Sequence, residues 1–269
     1  MALLTVLGTA SGAPVAESGC SAYLVSHAGT SILLDCGPGV LGPLRAVAGV
    51  HDLAGVFITH MHSDHFLDLL PLNVALLSEP PRPPGGRRRL PVFLSLGGLE
   101  TLAATFNALT VNVAGTLAAR YTEALDCREY APGETIACGS LAVTPVGPLH
   151  HATLAFGLRV HAGDSVLGYT GDTAPCAAAV DVGRDADLLV AECTYPEPGQ
   201  HPTALHTSAV ELGALARESG CRRLLATHFA FAQWPREAAA REAAIVQRIR
   251  AGGYQGELAV AAAGLQLTF

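Results

Sequence analysis

Apolar and polar residues alternate along this chain in segments that predict interleaved β-strands and α-helices. The apolar runs Leu3 to Leu7, Val56 to Thr59 and Leu188 to Ala191 predict strands. The segment Thr207 to Glu218 predicts an amphipathic helix, and Arg236 to Arg250 predicts a helix that ends before two glycines. Strands and helices occur in both halves of the chain, which favours layered sheets covered by helices.

The remaining predicted elements continue this alternation without an evident linker or repeat. A strand-rich stretch covers residues 130–161, and further strands are predicted at 22–25, 30–34, 90–94, 165–170, 223–226, 257–260 and 265–268. Further helices are predicted at 40–50, at 99–109, and at 66–77 with a disturbance at Pro71. We therefore expect a single domain over residues 1–269.

Four potential metal ligands occupy the six positions from His60 to His65, where the strand at Val56 to Thr59 ends. Three histidines and a carboxylate this close together cannot all be desolvated unless something neutralises them. Imidazole nitrogens and carboxylate oxygens are ligands that zinc prefers, and His60 and His62 can point at one ion while Asp64 and His65 point at a second. The alternative is a solvated histidine-rich loop.

Composition indicates a compact globular chain with an acidic surface. The chain has 269 residues, half of them hydrophobic, a formal net charge of −7 and a pI of about 5.8. All 16 basic residues are arginines. An acidic balance argues against a large nucleic-acid footprint, which requires a broad basic face. The basic cluster Arg87-Arg88-Arg89, beside a Pro/Gly-rich run, is either a solvated loop or a binding site.

The seven cysteines are dispersed and never form a CxxC pair, which suits a reducing compartment rather than a disulfide framework. The apolar start of the chain fits a first strand better than a signal sequence. No segment approaches the roughly 20 apolar residues of a membrane span. We therefore expect a cytoplasmic protein that does not bind membranes.

Additional candidate ligands lie at the ends of other predicted strands. Asp172 stands in a glycine-bearing turn, His228 follows an apolar strand, and His150 and His151 follow Leu149. Taken singly, an Asp in a turn is usually a cap and a histidine at a strand end is usually structural. Together with the six-residue motif, however, they complete two coordination shells.

These motifs resemble those of metallo-β-lactamase-fold hydrolases, and most closely those of the branch that contains ribonuclease Z and small-molecule phosphodiesterases. The matching segments span essentially the whole chain: Leu7-Gly8-Thr9, Asp35-Cys36-Gly37, the THxHxDH motif at 59–65, Tyr169 to Thr173, Ala191 to Tyr195, Leu205 to Ser208 and Thr227-His228-Phe229. The resemblance implies an α/β fold, a four-layer αββα sandwich of two mixed sheets flanked by helices.

The resemblance also implies a dinuclear metal site. The first ion is then held by His60, His62 and a third histidine, the second by Asp64, His65 and His228, and Asp172 bridges both, while Asp35 orients the ligand loop by hydrogen bonds. Related enzymes show the third histidine five residues before an aromatic residue and six before a glycine. His151 fits this register with Phe156 and Gly157, and His150 does not. His150 is then either a neighbour of the site or solvated.

A pair of cations, expected to be two Zn²⁺ with Mn²⁺ or Fe²⁺ as alternatives, predicts hydrolytic chemistry. Bound water loses much of its proton affinity, so a metal-bridging hydroxide exists near neutral pH. His206 is the candidate proton donor to the leaving group, with Glu192 positioning it, and Asp64 is counted with them as a catalytic residue. The alternative for His206 is a structural residue beside the helix that begins near Thr207.

The spacing of the ligands favours a small substrate. Ribonuclease Z enzymes that process tRNA commonly carry a Gly/Pro-rich arm between the third histidine and the bridging Asp. In this chain only 21 positions separate His151 from Asp172. We expect a phosphodiesterase that acts on a small-molecule phosphoester and binds no nucleic acid. The alternatives are a hydrolase of carboxylic esters, thioesters, lactones or sulfate esters, a tRNA 3′-processing endonuclease, or a non-catalytic metal-binding interaction module. The oligomeric state is left open, with a homodimer as one option.

Overall fold

The structure is a computed structural model that describes residues 1–79, 89–110, 115–116, 118–200 and 205–269. Arg87 and Arg88 of the basic cluster lie outside the described residues. The strands form two mixed sheets, and helices flank them. This is the layered sandwich that the sequence predicts.

The first sheet comprises the strands of the N-terminal half and the last strand of the chain. These are β1 Leu3–Ala10, β2 Gly19–Cys20, β3 Ala22–His27, β4 Thr30–Leu34, β5 Leu53–Phe57, β6 Leu90–Leu94, β7 Leu125–Glu129 and β15 Gln266–Thr268. Their order is β15-β1-β3-β4-β5-β6-β7, with β2 beside β1. Because β3 is antiparallel to both β1 and β4, and β4 to β7 are parallel, the carboxyl ends of β1 and β4 to β7 meet at one edge.

The second sheet contains the strands of the C-terminal half. These are β8 Ile136–Cys138, β9 Leu141–Val146, β10 Gly157–Ala162, β11 Ser165–Tyr169, β12 Leu188–Glu192, β13 Arg223–Thr227 and β14 Glu257–Val260. The order is β14-β13-β12-β11-β10-β9-β8; β8 to β11 form an antiparallel meander and β11 to β14 are parallel. The carboxyl ends of β11 to β14 therefore share one edge as well.

Helices pack on the two sheets. Five precede the second sheet in the chain and three are interspersed with its parallel strands: α1 Leu41–Val47, α2 Ser63–Phe66, α3 Leu69–Ser78, α4 Gly98–Thr110, α5 Tyr121–Ala124, α6 Ala177–Gly183, α7 Ala209–Ser219 and α8 Ala238–Ala251. The start of α7 is fixed by a capping box between Ser208 and Glu211, and its end by Gly220 with φ +70°. Both signals are legible in the sequence.

Two apolar cores hold the layers together. One lies between the sheets and continues beneath α6 to α8; the aromatic rings of Tyr23 on β3 and Tyr169 on β11 meet there, with centroids 4.9 Å apart. The other lies between the first sheet and α1, α3 and α4, and includes the buried Leu69, Leu72 and Leu102. Burial of this kind is the main driving force for assembling the layers.

Several elements differ from the prediction. The helix predicted at 66–77 corresponds to α3, which begins only at Leu69, after the short α2 has ended at Phe66. Pro71 lies in the first turn of α3, where its missing N–H breaks no helical hydrogen bond. The strand β7 and the helix α6 were not predicted, because β7 is rich in charged residues and α6 is short and rich in alanine. No helix in the described part of the chain is long and apolar enough to cross a bilayer.

Candidate metal centre

The predicted ligands follow strand ends in both sheets and converge at one edge of the sandwich. The segment His60 to His65 follows β5, Asp172 follows β11, His228 follows β13, and His151 lies in the loop between β9 and β10. The structure collects them into two overlapping groups whose potential ligand atoms lie within 4.8 Å of one another. Residues up to 168 positions apart in the chain, such as His60 and His228, are thus brought into one site.

The first group consists of His60, His62, His151 and Asp172. The imidazole rings of the three histidines lie 4.7–4.8 Å apart, centroid to centroid, in edge-on arrangements. His60 is fully buried, whereas His62 and His151 are half-buried. The group therefore has a buried side and a side that faces solvent.

The second group consists of Asp64, His65, His228 and Asp172, all of them buried. The Nε2 atoms of His65 and His228 lie 3.3 and 3.2 Å from Asp172 Oδ1. The other oxygen, Oδ2, lies 3.8 Å from Nε2 of His60 in the first group. Asp172 thus directs one oxygen to each group, which is the geometry that a bridging carboxylate requires.

Several ligand atoms are buried without a partner. Nε2 of His60, His65 and His151 and Oδ1 of Asp172 have no hydrogen-bond partner in the described part of the chain. Leaving a buried polar atom unpaired costs about 1–3 kcal/mol. A divalent cation accepts imidazole and carboxylate ligands together and would satisfy the unpaired atoms of the group that holds it, so the residues of each group fit a divalent metal.

In the imidazoles of His60, His65 and His228, the opposite nitrogen, Nδ1, is engaged by a neighbouring group. His65 Nδ1 donates to Asp35 Oδ2 at 2.7 Å. His60 Nδ1 lies 3.1 Å from the hydroxyl of Thr59, which itself donates to Asp35. His228 Nδ1 lies 2.9 Å from the hydroxyl of Thr194, which is likewise a donor, here to Glu192.

Because both hydroxyls donate onward to carboxylates, each can accept a hydrogen bond from the Nδ1–H of its histidine, and the Nδ1–H tautomer is favoured in all three rings. The unprotonated Nε2 then faces the site. The hydrogen bonds around the site therefore prepare the histidines as ligands.

Burial and charge set the protonation of the ligands. Desolvation by burial lowers the pKa of His60 well below its ordinary value and that of His151 to about 4, so both are neutral imidazoles near pH 7. Burial raises the pKa of Asp172, but the neighbouring His228 and His65 outweigh it and hold Asp172 as a carboxylate. For His65, burial lowers the pKa, but the carboxylates of Asp172 and Asp35 outweigh it and raise the pKa well above its ordinary value. A positive charge, either a proton or a metal ion, is thus stabilised at His65.

Backbone conformation at three positions brings the ligands close together. Asp35 and His228 adopt left-handed φ values of +56° and +59°, which are uncommon outside glycine and often mark functional sites. Gly171 has φ +59°, and a Cβ at this position would lie 2.9 Å from the side chain of Thr59. Glycine therefore allows the turn that carries Asp172 to approach the ligand segment.

His206 and Glu192 form a third group beside the second set of ligands. His206 Nδ1 lies 3.2 Å from Glu192 Oε2 and 3.8 Å from Asp172 Oδ2. Burial lowers the pKa of His206, but the hydrogen bond and the charge of Glu192 outweigh it and raise the pKa to about 9. Glu192 also accepts hydrogen bonds from the backbone N–H groups of Thr173 and Thr207. The N-cap of α7 is Ser208, so the structure gives His206 no capping role.

The two adjacent histidines have different surroundings. His151 lies in the first group, whereas the side chain of His150 is exposed and only its backbone carbonyl accepts a hydrogen bond, from Ala174. The sequence did not single out Thr59, Thr194 or the backbone amide of Gly12, which donates to Asp64 Oδ2 at 2.7 Å. Thr59 and Thr194 are each the second residue after a strand, β5 and β12 respectively, and this position near a strand end is the signal that could have identified them.

Comparison with known proteins gives a consistent assignment. The β-lactamase superfamily domain matches residues 30–229. The probable metallo-hydrolase YhfI of Bacillus subtilis is 28% identical over 230 residues, covering 84% of this chain and 86% of YhfI. Ribonuclease Z of Mycobacterium avium is 31% identical over 266 residues, covering 89% of this chain and 92% of the enzyme.

Solved structures extend the likeness to the whole chain. The metallo-β-lactamase-fold protein YhfI superposes with a TM-score of 0.80 at 25% identity and covers 100% of both chains. A diphosphatase from the PhnP family superposes with a TM-score of 0.71 at 21% identity, covering 99% of this chain and 96% of the other. The chain therefore belongs to the metallo-β-lactamase superfamily and is a metal-dependent hydrolase.

Proposed function

We propose that this protein is a dinuclear zinc phosphodiesterase that acts on a small-molecule phosphoester. The observation that carries the proposal is the position of Asp172, whose two oxygens face two separate groups of ligands. Histidine and carboxylate ligands suit Zn²⁺, and Mn²⁺ or Fe²⁺ are the alternatives that the same donors accept.

The residues divide the work of hydrolysis among themselves. Two divalent cations, when bound, lower the pKa of water and neutralise charge on the substrate oxygens. His60, His62 and His151 would hold one, Asp64, His65 and His228 the other, and Asp172 both.

Hydrolysis adds water across a P–O bond and releases a phosphomonoester and an alcohol. The departing oxygen needs a proton. His206 is held by Glu192 beside the second ligand group and is protonated near neutral pH, so it can supply this proton.

Three observations favour a small phosphodiester among the substrates that this fold can take. The relative from Mycobacterium avium is a ribonuclease, and ribonucleases cleave phosphodiester bonds. Between His151 and Asp172, however, this chain has only the hairpin of β10 and β11 with a tight turn at Gly163, and no long insertion. The net charge of −7 also disfavours binding of an extended polyanion.

The test combines metal analysis with a substrate panel. The purified protein should contain close to two divalent ions per chain, and it should hydrolyse bis-p-nitrophenyl phosphate or cyclic nucleotides with higher kcat/KM than carboxylic esters, lactones, thioesters or a precursor tRNA. His150→Ala is a matched control for His151→Ala, because the two histidines are adjacent in the chain but His151 lies in the first ligand group and the side chain of His150 is exposed. A preference for an acyl ester would overturn the phosphodiesterase proposal.

We also place the protein in the cytoplasm. All seven cysteines are free, and five of them are buried. Unpaired thiols in this number are typical of a reducing compartment.

A further inference from the structure

The two ligand groups differ in how deeply they are buried. Every member of the second group is buried, including Asp64, His65 and His228. In the first group, by contrast, His62 and His151 are half-buried. Water and chelators therefore have direct access to ligands of the first group, whereas the ligands of the second group are shielded.

The groups also differ in charge. The second group contains two carboxylates, Asp64 and Asp172, whereas the first group contains three histidines and shares only Asp172. Asp64 directs Oδ2 into its own group, at 3.4 Å from His228 Nε2 and 3.7 Å from His65 Nε2. A divalent cation is therefore attracted more strongly by the second group.

The ligands that belong to the second group alone are each held by a hydrogen bond from outside the group. The three pairs, with the distances between their polar atoms, are His65 Nδ1 to Asp35 Oδ2 at 2.7 Å, His228 Nδ1 to Thr194 Oγ1 at 2.9 Å and Gly12 N to Asp64 Oδ2 at 2.7 Å. The outside partners follow three different strands, β4, β12 and β1. The surrounding fold therefore orients these ligands before an ion binds.

The ligands of the first group have weaker support. His60 Nδ1 lies 3.1 Å from the hydroxyl of Thr59. For His151 the corresponding contact is 3.4 Å long and reaches only Thr153, two residues further along the same loop. The ring of His62 contacts the rings of the other two histidines, and within the described part of the chain it makes no hydrogen bond. An ion in this group would itself have to order two of its three histidines.

We infer that the two groups bind metal unequally: the second group fills first and holds its ion about 100-fold more tightly than the first group does. Loss of a hydrogen-bond partner behind one ligand typically weakens metal affinity about 10–100-fold, and two histidines of the first group lack a short one. The inference rests on the proposed dinuclear site and describes its regulation. Hydrolysis that requires both ions then depends on the free metal concentration, through the filling of the first group.

Zinc transfer to a chromophoric chelator measures the two sites without turnover. The wild type should release one ion quickly and the other slowly, with dissociation constants about 100-fold apart. His62→Ala should lose the weak site and keep one slowly released ion. Asp64→Asn, which preserves the size of the buried side chain, should instead lose the tight site. His150→Ala is the matched control, since its exposed imidazole lies outside both groups, and it should release both ions as the wild type does.

Cobalt absorption identifies which group fills first. One equivalent of Co²⁺ added to the metal-free wild type should give the spectrum of singly loaded His62→Ala and not that of Asp64→Asn. His228→Ala is a second variant of the buried group, in case the asparagine amide oxygen still binds metal, and circular dichroism establishes that each variant is folded.

The outcomes separate this inference from the proposed function. Equal affinities in the wild type, or a first equivalent of Co²⁺ with the spectrum of Asp64→Asn, would overturn the inference and leave the dinuclear phosphodiesterase proposal intact. A single ion per wild-type chain at saturating zinc, kept in His62→Ala and lost in His228→Ala, would instead overturn the dinuclear proposal and leave the second group as the tighter one.

Discussion

Replacing Asp35 by Asn would test whether a residue that hydrogen-bonds to a predicted metal ligand, here His65, controls metal binding. Asp35 is fully buried. Its Oδ1 accepts from Thr59 N–H at 2.8 Å, and its Oδ2 accepts from His65 Nδ1 at 2.7 Å and from the Tyr169 hydroxyl at 2.6 Å. Both oxygens therefore act only as acceptors. Asparagine tolerates the left-handed backbone of this position, so the variant changes the hydrogen bonding and charge with little backbone strain.

An asparagine amide cannot reproduce this pattern in either orientation. With the NH₂ group at the position of Oδ2, it faces the His65 Nδ1–H, and the proton of His65 must move to Nε2, the atom that faces Asp64 and Asp172. With the NH₂ group at the position of Oδ1, it opposes the Thr59 N–H, a conflict that costs about 1–3 kcal/mol. The loss of such a partner usually weakens metal affinity about 10–100-fold, which corresponds to about 1.4–2.8 kcal/mol.

The assay is zinc affinity, measured by competition with a chromophoric chelator. We expect one of the two sites to weaken by this factor in Asp35→Asn. Asp68→Asn is the control, since Asp68 accepts backbone N–H groups of Val40 and Leu41 and contacts no ligand histidine. Tyr169→Phe should bind zinc nearly as the wild type does, because the contact between His65 and Asp35 remains. Wild-type affinity at both sites in Asp35→Asn would refute the reasoning.

Four further predictions follow from the site and the fold. Asp172→Ala should lose metal and activity together, and retention of both would contradict the bridging role. His151→Ala should abolish turnover, whereas His150→Ala should be mild; the reverse ranking in kcat would show that the wrong histidine was chosen. His206→Ala should keep its metal but turn over alkoxide-leaving substrates about 10²–10⁴-fold more slowly, with a smaller loss for p-nitrophenolate. Since the acid form of His206 is lost as pH rises through a pKa of about 9, and bound cations lower this value, wild-type activity should fall at or below pH 9 and the variant should lack this limb. Arg159 donates to the carbonyls of residues 181, 182 and 184 at the end of α6, so Arg159→Met should destabilise the protein by about 2 kcal/mol in urea unfolding without changing metal content.

That the predicted ligand residues lie close together could be anticipated from the sequence, because most of them stand near the end of a recognisable strand. The run before His60 is continuously apolar, as is the run before His228, and both became parallel strands, β5 and β13. Parallel strands place their carboxyl ends together, so side chains far apart in the chain meet at one edge. The helix predicted over Thr207 to Glu218 was equally legible through its amphipathic pattern, and its observed bounds differ by only one or two residues.

The hydrogen bonds that Asp35 makes with His65 and Tyr169 could not be predicted in this way. The contact between Tyr169 and Asp35 spans 134 positions and joins the two sheets, and no local pattern encodes such a pairing. The elements that were missed have weak local signals: α6 is formed largely by alanines, and β7 alternates charged and apolar residues at the edge of its sheet. The neighbours of these elements, rather than their own sequences, determine their structure.

The arrangement of these groups connects metal binding to the assembly of the two sheets. His60 and His65 follow a strand of the first sheet, whereas Asp172 and His228 follow strands of the second. Asp35 reinforces the connection, since it is bonded to His65 from one sheet and to Tyr169 from the other. The imidazoles are therefore oriented only when both sheets are packed together, and a cation that binds them stabilises that packed state over the unfolded chain.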